Sequence, residues 1–224
     1  FQMPLRIDDS EEACVAKNSI PFKAAYLSKV YFILSFQQLT IAAVSFALFM
    51  TPGVRPFVQH YSSTTWLILL FFIISVLCLR QATFYSSQLL GAALLLFSIA
   101  AALVFGVLTA KFDTEVVYTV TTMNGGVFLG HAIYCLQTLR SLRFQPSLIA
   151  TVCLATIQAW ILESLLEVAS FDYFLCILLC GFFCSYVHWN IFCYMKFLTR
   201  NEVLLACSHV YILFPKMHYV ALTH

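Results

Sequence analysis

Long apolar runs separated by short polar stretches make up most of this chain from Val30 onward. Each run has roughly the 20 residues that an α-helix needs to cross the hydrocarbon core of a bilayer. Unbroken runs favour helices over a membrane β-barrel, whose strands alternate over about ten residues. The pattern predicts an all-α integral membrane protein with seven spans, at residues 30–50, 61–79, 89–110, 116–137, 147–168, 174–195 and 203–222.

The same pattern divides the chain into three parts. Residues 1–29, which contain four acidic and four basic residues, are predicted to form a cytosolic N-terminal segment. Residues 30–222 form the predicted bundle, and residues 223–224 its lumenal or extracellular end. We expect no secretory signal, because the first apolar run begins only near Val30 and no small-residue cleavage site follows it.

Composition supports the membrane assignment and excludes several classes of protein. Hydrophobic residues make up 62% of the chain, charged residues only 10%, and the mean hydropathy is +0.89. In soluble domains about a quarter of the residues are charged, so a soluble globular protein is excluded. A disordered chain, a coiled coil and a nucleic-acid binder with a basic face are excluded as well. The net charge of +2 is too small to indicate a partner.

Basic residues in the short connections predict the orientation, because they are enriched on the cytosolic side. With a cytosolic N-terminus, nine basic residues lie on the cytosolic side: Arg6, Lys17, Lys23, Lys29, Arg80, Arg140, Arg143, Lys196 and Arg200. Only Arg55 and Lys111 lie on the other side. The C-terminus, after seven spans, is then lumenal or extracellular. We expect an endoplasmic reticulum, Golgi, other endomembrane or plasma membrane location.

Two familiar seven-span classes fit poorly. A G-protein-coupled receptor places its N-terminus outside, and the chain has neither Asp-Arg-Tyr after span three nor Asn-Pro-x-x-Tyr in span seven. A retinal protein needs a lysine in the last span, which Lys216 supplies. It also needs a carboxylate counter-ion in span three, and residues 89–110 contain none.

Charged residues inside predicted spans are costly and therefore candidates for function. Glu163 in span five and Lys216 in span seven both lie about 20 Å from the cytosolic edge, at 1.5 Å per residue, and could pair. Glu167 follows Glu163 one turn later on the same face. Together with His188 and His209, these residues form a candidate intramembrane polar or ion pathway. The alternatives are snorkelling of the charged groups to the interface, or an ion pair that only fixes packing.

Other features of the spans have ordinary structural interpretations beside functional ones. Pro215 is expected to kink span seven, which could widen a cavity or only adapt packing. Cys176, Cys180 and Cys184 form a stripe that His188 continues, and such a stripe is more typical of packing than of a metal site or lipid attachment. Gly126 and Gly130, four residues apart with Gly125 adjoining, permit a close helix contact. His131 and His188 are interpreted as hydrogen-bonded bundle histidines. No pattern supports an enzyme, and we predict no cofactor and no metal.

Three segments resemble the transmembrane BAX inhibitor motif family. They are YLSKVYFILSFQQL at residues 26–39, VFLGHAIYCLQTLRSLRF at residues 127–144, and the spacing of residues 186–190 and 202–211. The resemblance covers about residues 24–222. It implies six helices around a central seventh, and a proton-gated calcium leak that suppresses cell death.

The family's gate is a pair of aspartates, which the resemblance places at Asn190 and Leu213. Neither residue can ionise, so the chain departs from the family at its gate. This divergence resembles the seven-span members carried by cytomegaloviruses, which implies action on host membrane proteins and immune recognition.

Three functions follow as hypotheses. The first is a membrane adaptor that binds host membrane proteins and modulates their trafficking, immune recognition or cell-death signalling. The second is a calcium-permeable leak through Glu163, Glu167, His188 and His209, with Ca²⁺ as the conducted ion. The third, a receptor for a small ligand, is disfavoured by the short outer loops. Membrane lipids are expected partners in every case, and nucleic acid is not.

Overall fold

The computed structural model describes residues 14–17, 19–137, 144–166, 170–199 and 202–212, and every regular element within these ranges is helical. A short 3-10 turn at Val15–Lys17 precedes the α-helices. They are α1 (Ile20–Met50), α2 (Val54–His60), α3 (Ser62–Ala82), α4 (Ser87–Phe112), α5 (Val116–Leu136), α6 (Phe144–Leu166), α7 (Ser170–Tyr194) and α8 (Val203–Tyr211). The predicted all-helical class is therefore confirmed.

Five helices of the described chain are long and apolar enough to cross a membrane. These stretches are Ile20–Met50, Ser63–Ala82, Ser87–Phe112, Phe144–Ser164 and Asp172–Tyr194, which match the predicted first, second, third, fifth and sixth spans. They are consistent with an integral membrane protein. The predicted fourth span, α5, is less apolar because it contains threonines, Asn124 and His131. For the predicted seventh span, the structure describes only the nine helical residues of α8.

Helix ends differ from the predicted spans because a helix need not stop where its apolar stretch stops. α1 begins at Ile20, ten residues before the predicted start at 30. Pro21 lies in its first turn, where the missing N–H of proline removes no hydrogen bond of the helix. α6 begins at Phe144 and α7 at Ser170, three and four residues before their predicted starts. α3 runs three residues past its predicted end, to Ala82.

The short helix α2 lies between the first two long helices and was not predicted as a separate element. The chain leaves α1 and turns at Gly53, whose φ of 91° is a conformation that favours glycine. Arg55 forms an ion pair with Asp113 at the end of α4, with 2.9 Å between nitrogen and oxygen. Gln59 donates a hydrogen bond to the carbonyl oxygen of Ala110 at 3.3 Å. These two contacts attach α2 to the end of α4.

The helices pack around α1 and α5, which make the most extensive contact in the described structure. α5 also contacts α4, α6 and α7, and no residue from Val116 to Ala132 is exposed. This enclosure explains how α5 tolerates polar residues, since protein and not lipid surrounds it. The nine residues of α8 contact α1, α3, α4 and α7, and none of them is exposed. α3 and α6 lie at the periphery.

Candidate functional site

A buried group of polar side chains joins four helices inside the bundle. We call Tyr31, His131, Ser147, Thr151 and His188 the polar cluster; each is at most 2% exposed. The hydroxyl of Tyr31 on α1 lies 2.6 Å from Nδ1 of His188 on α7. The other ring nitrogen of His188 lies 2.8 Å from the hydroxyl oxygen of Thr151 on α6. His188 therefore bridges α1 and α6.

The partners of these groups fix where the hydrogens lie. Thr151 donates its hydroxyl hydrogen to the backbone carbonyl oxygen of Ser147 at 2.8 Å, so its oxygen accepts from His188. Nε2 of His188 then carries the hydrogen, and Nδ1 accepts the hydroxyl hydrogen of Tyr31. All hydrogen-bonding atoms of the His188 ring are satisfied while the ring is neutral. Nothing in this arrangement leaves His188 available to an ion.

His131 on α5 completes the polar cluster. Its Nδ1 lies 2.8 Å from the carbonyl oxygen of Val127, and its Nε2 lies 3.3 Å from that of Ser147. The shorter contact is the better hydrogen bond, so we place the hydrogen of the neutral ring on Nδ1. The His131 and His188 rings are 4.4 Å apart between centroids. Two cationic rings at this distance would repel each other, which favours two neutral histidines.

Of the two family gate positions, the structure describes Asn190, whereas Leu213 lies outside the described residues. Asn190 is half-buried on α7, and its amide nitrogen donates to the carbonyl oxygen of Tyr186 one turn earlier, at 2.8 Å. The amide is therefore bonded within its own helix.

The remaining residues of the predicted ion pathway are dispersed or undescribed. Glu163 is exposed on α6, one residue before the end of the apolar stretch Phe144–Ser164, and it pairs with no residue that the structure describes. His209 on α8 is half-buried with its ring 4.9 Å from that of Tyr194. Glu167, Pro215 and Lys216 lie outside the described residues. A pairing of Glu163 with Lys216 thus stays a prediction.

The cysteine stripe of α7 faces α5. Cys176, Cys180 and Cys184 are all buried. The thiol of Cys184 lies 3.5 Å from the side-chain oxygen of Asn124, and the thiol of Cys176 lies 4.0 Å from the carbonyl oxygen of Val116. Within the described ranges, no three histidine, cysteine or acidic side chains are grouped as they would be around a metal ion.

The glycines of α5 face two neighbouring helices. A β-carbon at Gly126 would lie 2.6 Å from the side chain of Gln158, and one at Gly130 would lie 2.8 Å from Leu154, both on α6. A β-carbon at Gly125 would lie 2.7 Å from the side chain of Leu39 on α1. These glycines let α1 and α6 approach α5 closely.

Sequence reasoning missed Tyr31, Ser147 and Thr151 of the polar cluster, although the chain contains a signal for Tyr31. Ser28, Tyr31, Ser35 and Gln38 recur on α1 at intervals of three or four residues, which places them on one helical face. Ser28 and Ser35 donate to the carbonyl oxygens of Ala132 and Gly125 on α5. A polar stripe on an otherwise apolar helix therefore marked the face that turns inward.

The chain matches no protein-family model, no curated protein and no solved structure. The resemblance to the BAX inhibitor motif family accordingly remains a prediction from the three quoted segments.

Proposed function

We propose that this protein is a seven-span, Bax-inhibitor-like membrane adaptor, with six helices around the seventh and a cytosolic N-terminus. It would bind other membrane proteins of the cell through its outer helical faces and alter their trafficking. The enclosure of α8 by α1, α3, α4 and α7 supports the central seventh helix. The length and enclosure of α5 support its role as a span despite its polar residues.

The observation that carries the proposal is the position of the acidic residues, none of which lies in the middle of a span among the residues that the structure describes. The acidic residues that the structure describes all lie at or near helix ends or in connections: Asp113, Glu115, Glu163, Asp172 and Glu202. Cation pathways are commonly lined by carboxylates or backbone carbonyls that replace the hydration shell. In the polar cluster, by contrast, neutral side chains pair with one another and with backbone. This favours an adaptor over a calcium leak.

The connections between described helices are too short to form a binding domain. α1 and α2, for instance, are separated by residues 51–53, α3 and α4 by residues 83–86, and α4 and α5 by residues 113–115. Partner recognition within the described chain would therefore depend on the helices themselves.

α6 offers the best surface for such recognition. Among the described elements it contacts only α5 and α7, and one stripe of exposed residues follows its outer side at helical spacing. We call this stripe the α6 face; it comprises Ile149, Val152, Thr156, Trp160 and Glu163. Polar residues among apolar ones can hydrogen-bond a second transmembrane helix. On α3, in contrast, the exposed residues in the middle of the helix are apolar, for example Leu70 and Ile74.

Co-purification from cells tests the adaptor proposal. We expect the wild-type chain to recover specific membrane proteins whose surface level changes when the chain is expressed. Trp160→Ala, together with Thr156→Leu, should reduce both the recovery and the change in surface level. Trp66→Ala on α3 is a matched control, because Trp66 and Trp160 are 72% and 70% exposed. Recovery of no specific membrane protein would contradict the proposal.

Calcium flux into liposomes tests the alternative. Reconstituted protein should pass no more Ca²⁺ than protein-free liposomes, and Glu163→Gln should leave the flux unchanged. A flux well above that baseline that falls in Glu163→Gln would establish the leak instead.

A further inference from the structure

A second interior region, distinct from the polar cluster, is a cavity of about 640 Å³. We call it the apolar cavity. It lies between α1, α3, α4, α5, α7 and α8, and its wall includes Phe72, Phe97, Phe105, Val120 and Phe183. The volume falls in the range typical of small-molecule sites. None of its described lining residues is charged.

We infer an opening of the apolar cavity towards the outer surface of the bundle between α3 and α7 from two observations. Both helices line it, yet among the described residues no Cα atom of α3 lies within 8 Å of a Cα atom of α7. Leu179 of α7 lines the cavity and is also 45% exposed. Its neighbours Leu178 and Phe182 are exposed on the same helix. A molecule entering at this point would come from the hydrocarbon region of the membrane.

Two buried amides in the wall have hydrogen-bonding atoms without a partner among the described residues. Gln38 is 3% exposed and donates from its amide nitrogen to the hydroxyl of Tyr211 at 3.1 Å, which leaves its carbonyl oxygen free. Asn124 is 4% exposed, and its oxygen accepts only a weak hydrogen bond from Cys184. Its amide nitrogen has no hydrogen-bond partner among the residues that the structure describes. Both residues line the apolar cavity.

Unpaired amide groups in an apolar wall are unfavourable unless something supplies their partners. Ordered water is a poor general filler, because a water needs two to four polar partners and most of this wall offers none. A single hydroxyl group fits better, since it can donate to the oxygen of Gln38 and accept from the nitrogen of Asn124. The rest of the occupant must be hydrocarbon.

We propose that the apolar cavity binds an uncharged membrane lipid of about sterol size, with its hydroxyl group between Gln38 and Asn124. The absence of charge from the described wall disfavours an ionised fatty acid or a phospholipid headgroup. The opening between α3 and α7 admits the lipid from the bilayer. This proposal is independent of the adaptor function, because it uses neither the α6 face nor a protein partner.

Photolabelling of the full chain in nanodiscs tests the proposal, with a cholesterol analogue that carries a diazirine on its ring system as the probe. Labelled residues should lie on the cavity walls of α3, α4 and α7, and excess unlabelled cholesterol should prevent the labelling. Asn124→Leu should weaken the competition by about ten-fold, which corresponds to the loss of one hydrogen bond of about 1.4 kcal/mol. Ala101→Phe, which fills the cavity from α4, should abolish it.

Ile157→Phe, on the exposed side of α6, is the matched control for added aromatic volume and should label as the wild type does. Each variant should elute as a monodisperse species and retain a cooperative thermal transition, so that lost labelling is not lost folding. Should a variant fail these checks, Gln38→Leu and Val120→Phe replace it at the same wall. Labelling that unlabelled cholesterol does not reduce, or that a diazirine phosphatidylcholine reproduces at the same residues, would overturn the proposal.

Discussion

The polar cluster and the apolar cavity are built from the same helices but treat their polar groups in opposite ways. α1, α5 and α7 contribute to both. The members of the polar cluster are at most 2% exposed, and Gln38 and Asn124 in the cavity wall are 3% and 4% exposed. In the polar cluster, both nitrogens of His188 are paired with hydroxyl groups of neighbouring helices. In the apolar cavity, the Gln38 oxygen and the Asn124 nitrogen have no described partner.

This difference separates two uses of polarity inside a membrane protein. A paired group holds helices in one arrangement, because breaking it would leave a donor or acceptor unsatisfied in an apolar surrounding. An unpaired polar group in a cavity wall lowers the stability of the free protein. A ligand that supplies the missing hydrogen-bond partner can offset this loss. Replacing a polar residue by leucine should therefore lower the free energy of unfolding more in the polar cluster than in the apolar cavity.

The largest effect is expected where the polar cluster is broken. His188→Leu keeps a similar volume but removes the acceptor of the Tyr31 hydroxyl. The free energy of unfolding should fall by about 1–3 kcal/mol, the usual cost of leaving one buried donor unsatisfied. The thermal midpoint of the purified protein in detergent measures this. Trp189→Leu, at the next residue and on the exposed side of α7, is the control and should change the midpoint little.

A second substitution sharpens this test. Tyr31→Phe in the His188→Leu background removes the unsatisfied hydroxyl, so the double variant should regain a large part of the lost stability. If the two losses simply add, the hydrogen bond between Tyr31 and His188 does not carry the stability of the cluster.

A smaller loss is expected where α1 and α5 meet beside the apolar cavity. Gly125→Val would place its β-carbon 2.7 Å from the Leu39 side chain and 3.3 Å from the Leu39 backbone nitrogen. The helices must move apart, at a cost of about 1–2 kcal/mol in the free energy of unfolding. Gly181→Val is a matched control on α7, because a β-carbon at Gly181 meets nothing within 4 Å. Equal thermal midpoints for the two variants would mean that α1 and α5 can accommodate the added side chain without loss of stability.

The lengths of the apolar stretches predicted most of the long helices. They did not predict helical residues that lie outside an apolar stretch. The long apolar helices follow directly from the cost of exposing polar groups to lipid. The start of α1 did not follow, because its first ten residues are a helical extension carrying Lys23 and Lys29 beyond the apolar stretch. Nor did α2, since seven residues carry too little periodic signal to separate a helix from a loop.

The interior was harder to predict than the spans, for a reason visible in α6 and α7. Glu163 and His188 both stand out in the sequence as polar residues in apolar surroundings, yet Glu163 is exposed and His188 is buried. Sequence alone does not tell which face of a peripheral helix turns outward. Tyr31 and Thr151 drew no attention, because a hydroxyl at a helix contact is common, and only the assembled bundle reveals their shared partner.

The smallest effect is expected for Asn124→Leu in the apolar cavity. The change removes an amide whose nitrogen is unpaired and whose oxygen accepts only the Cys184 thiol at 3.5 Å. Without added sterol, the free energy of unfolding should change by less than about 1 kcal/mol, well below the His188→Leu loss. The thermal midpoint in sterol-free detergent measures this, with Ser185→Leu, at a half-buried position of α7, as a control for the added apolar side chain.

Added cholesterol then separates the two regions directly, because a ligand raises the midpoint of any protein that binds it only when folded. The wild type and the His188→Leu variant should both gain stability from cholesterol, each from its own baseline. Asn124→Leu should gain less than either, because its affinity for cholesterol is expected to be about ten-fold lower. An Asn124→Leu variant that loses as much stability as His188→Leu in the absence of sterol would place Asn124 among the paired, structural groups, and the contrast between the two interior regions would disappear.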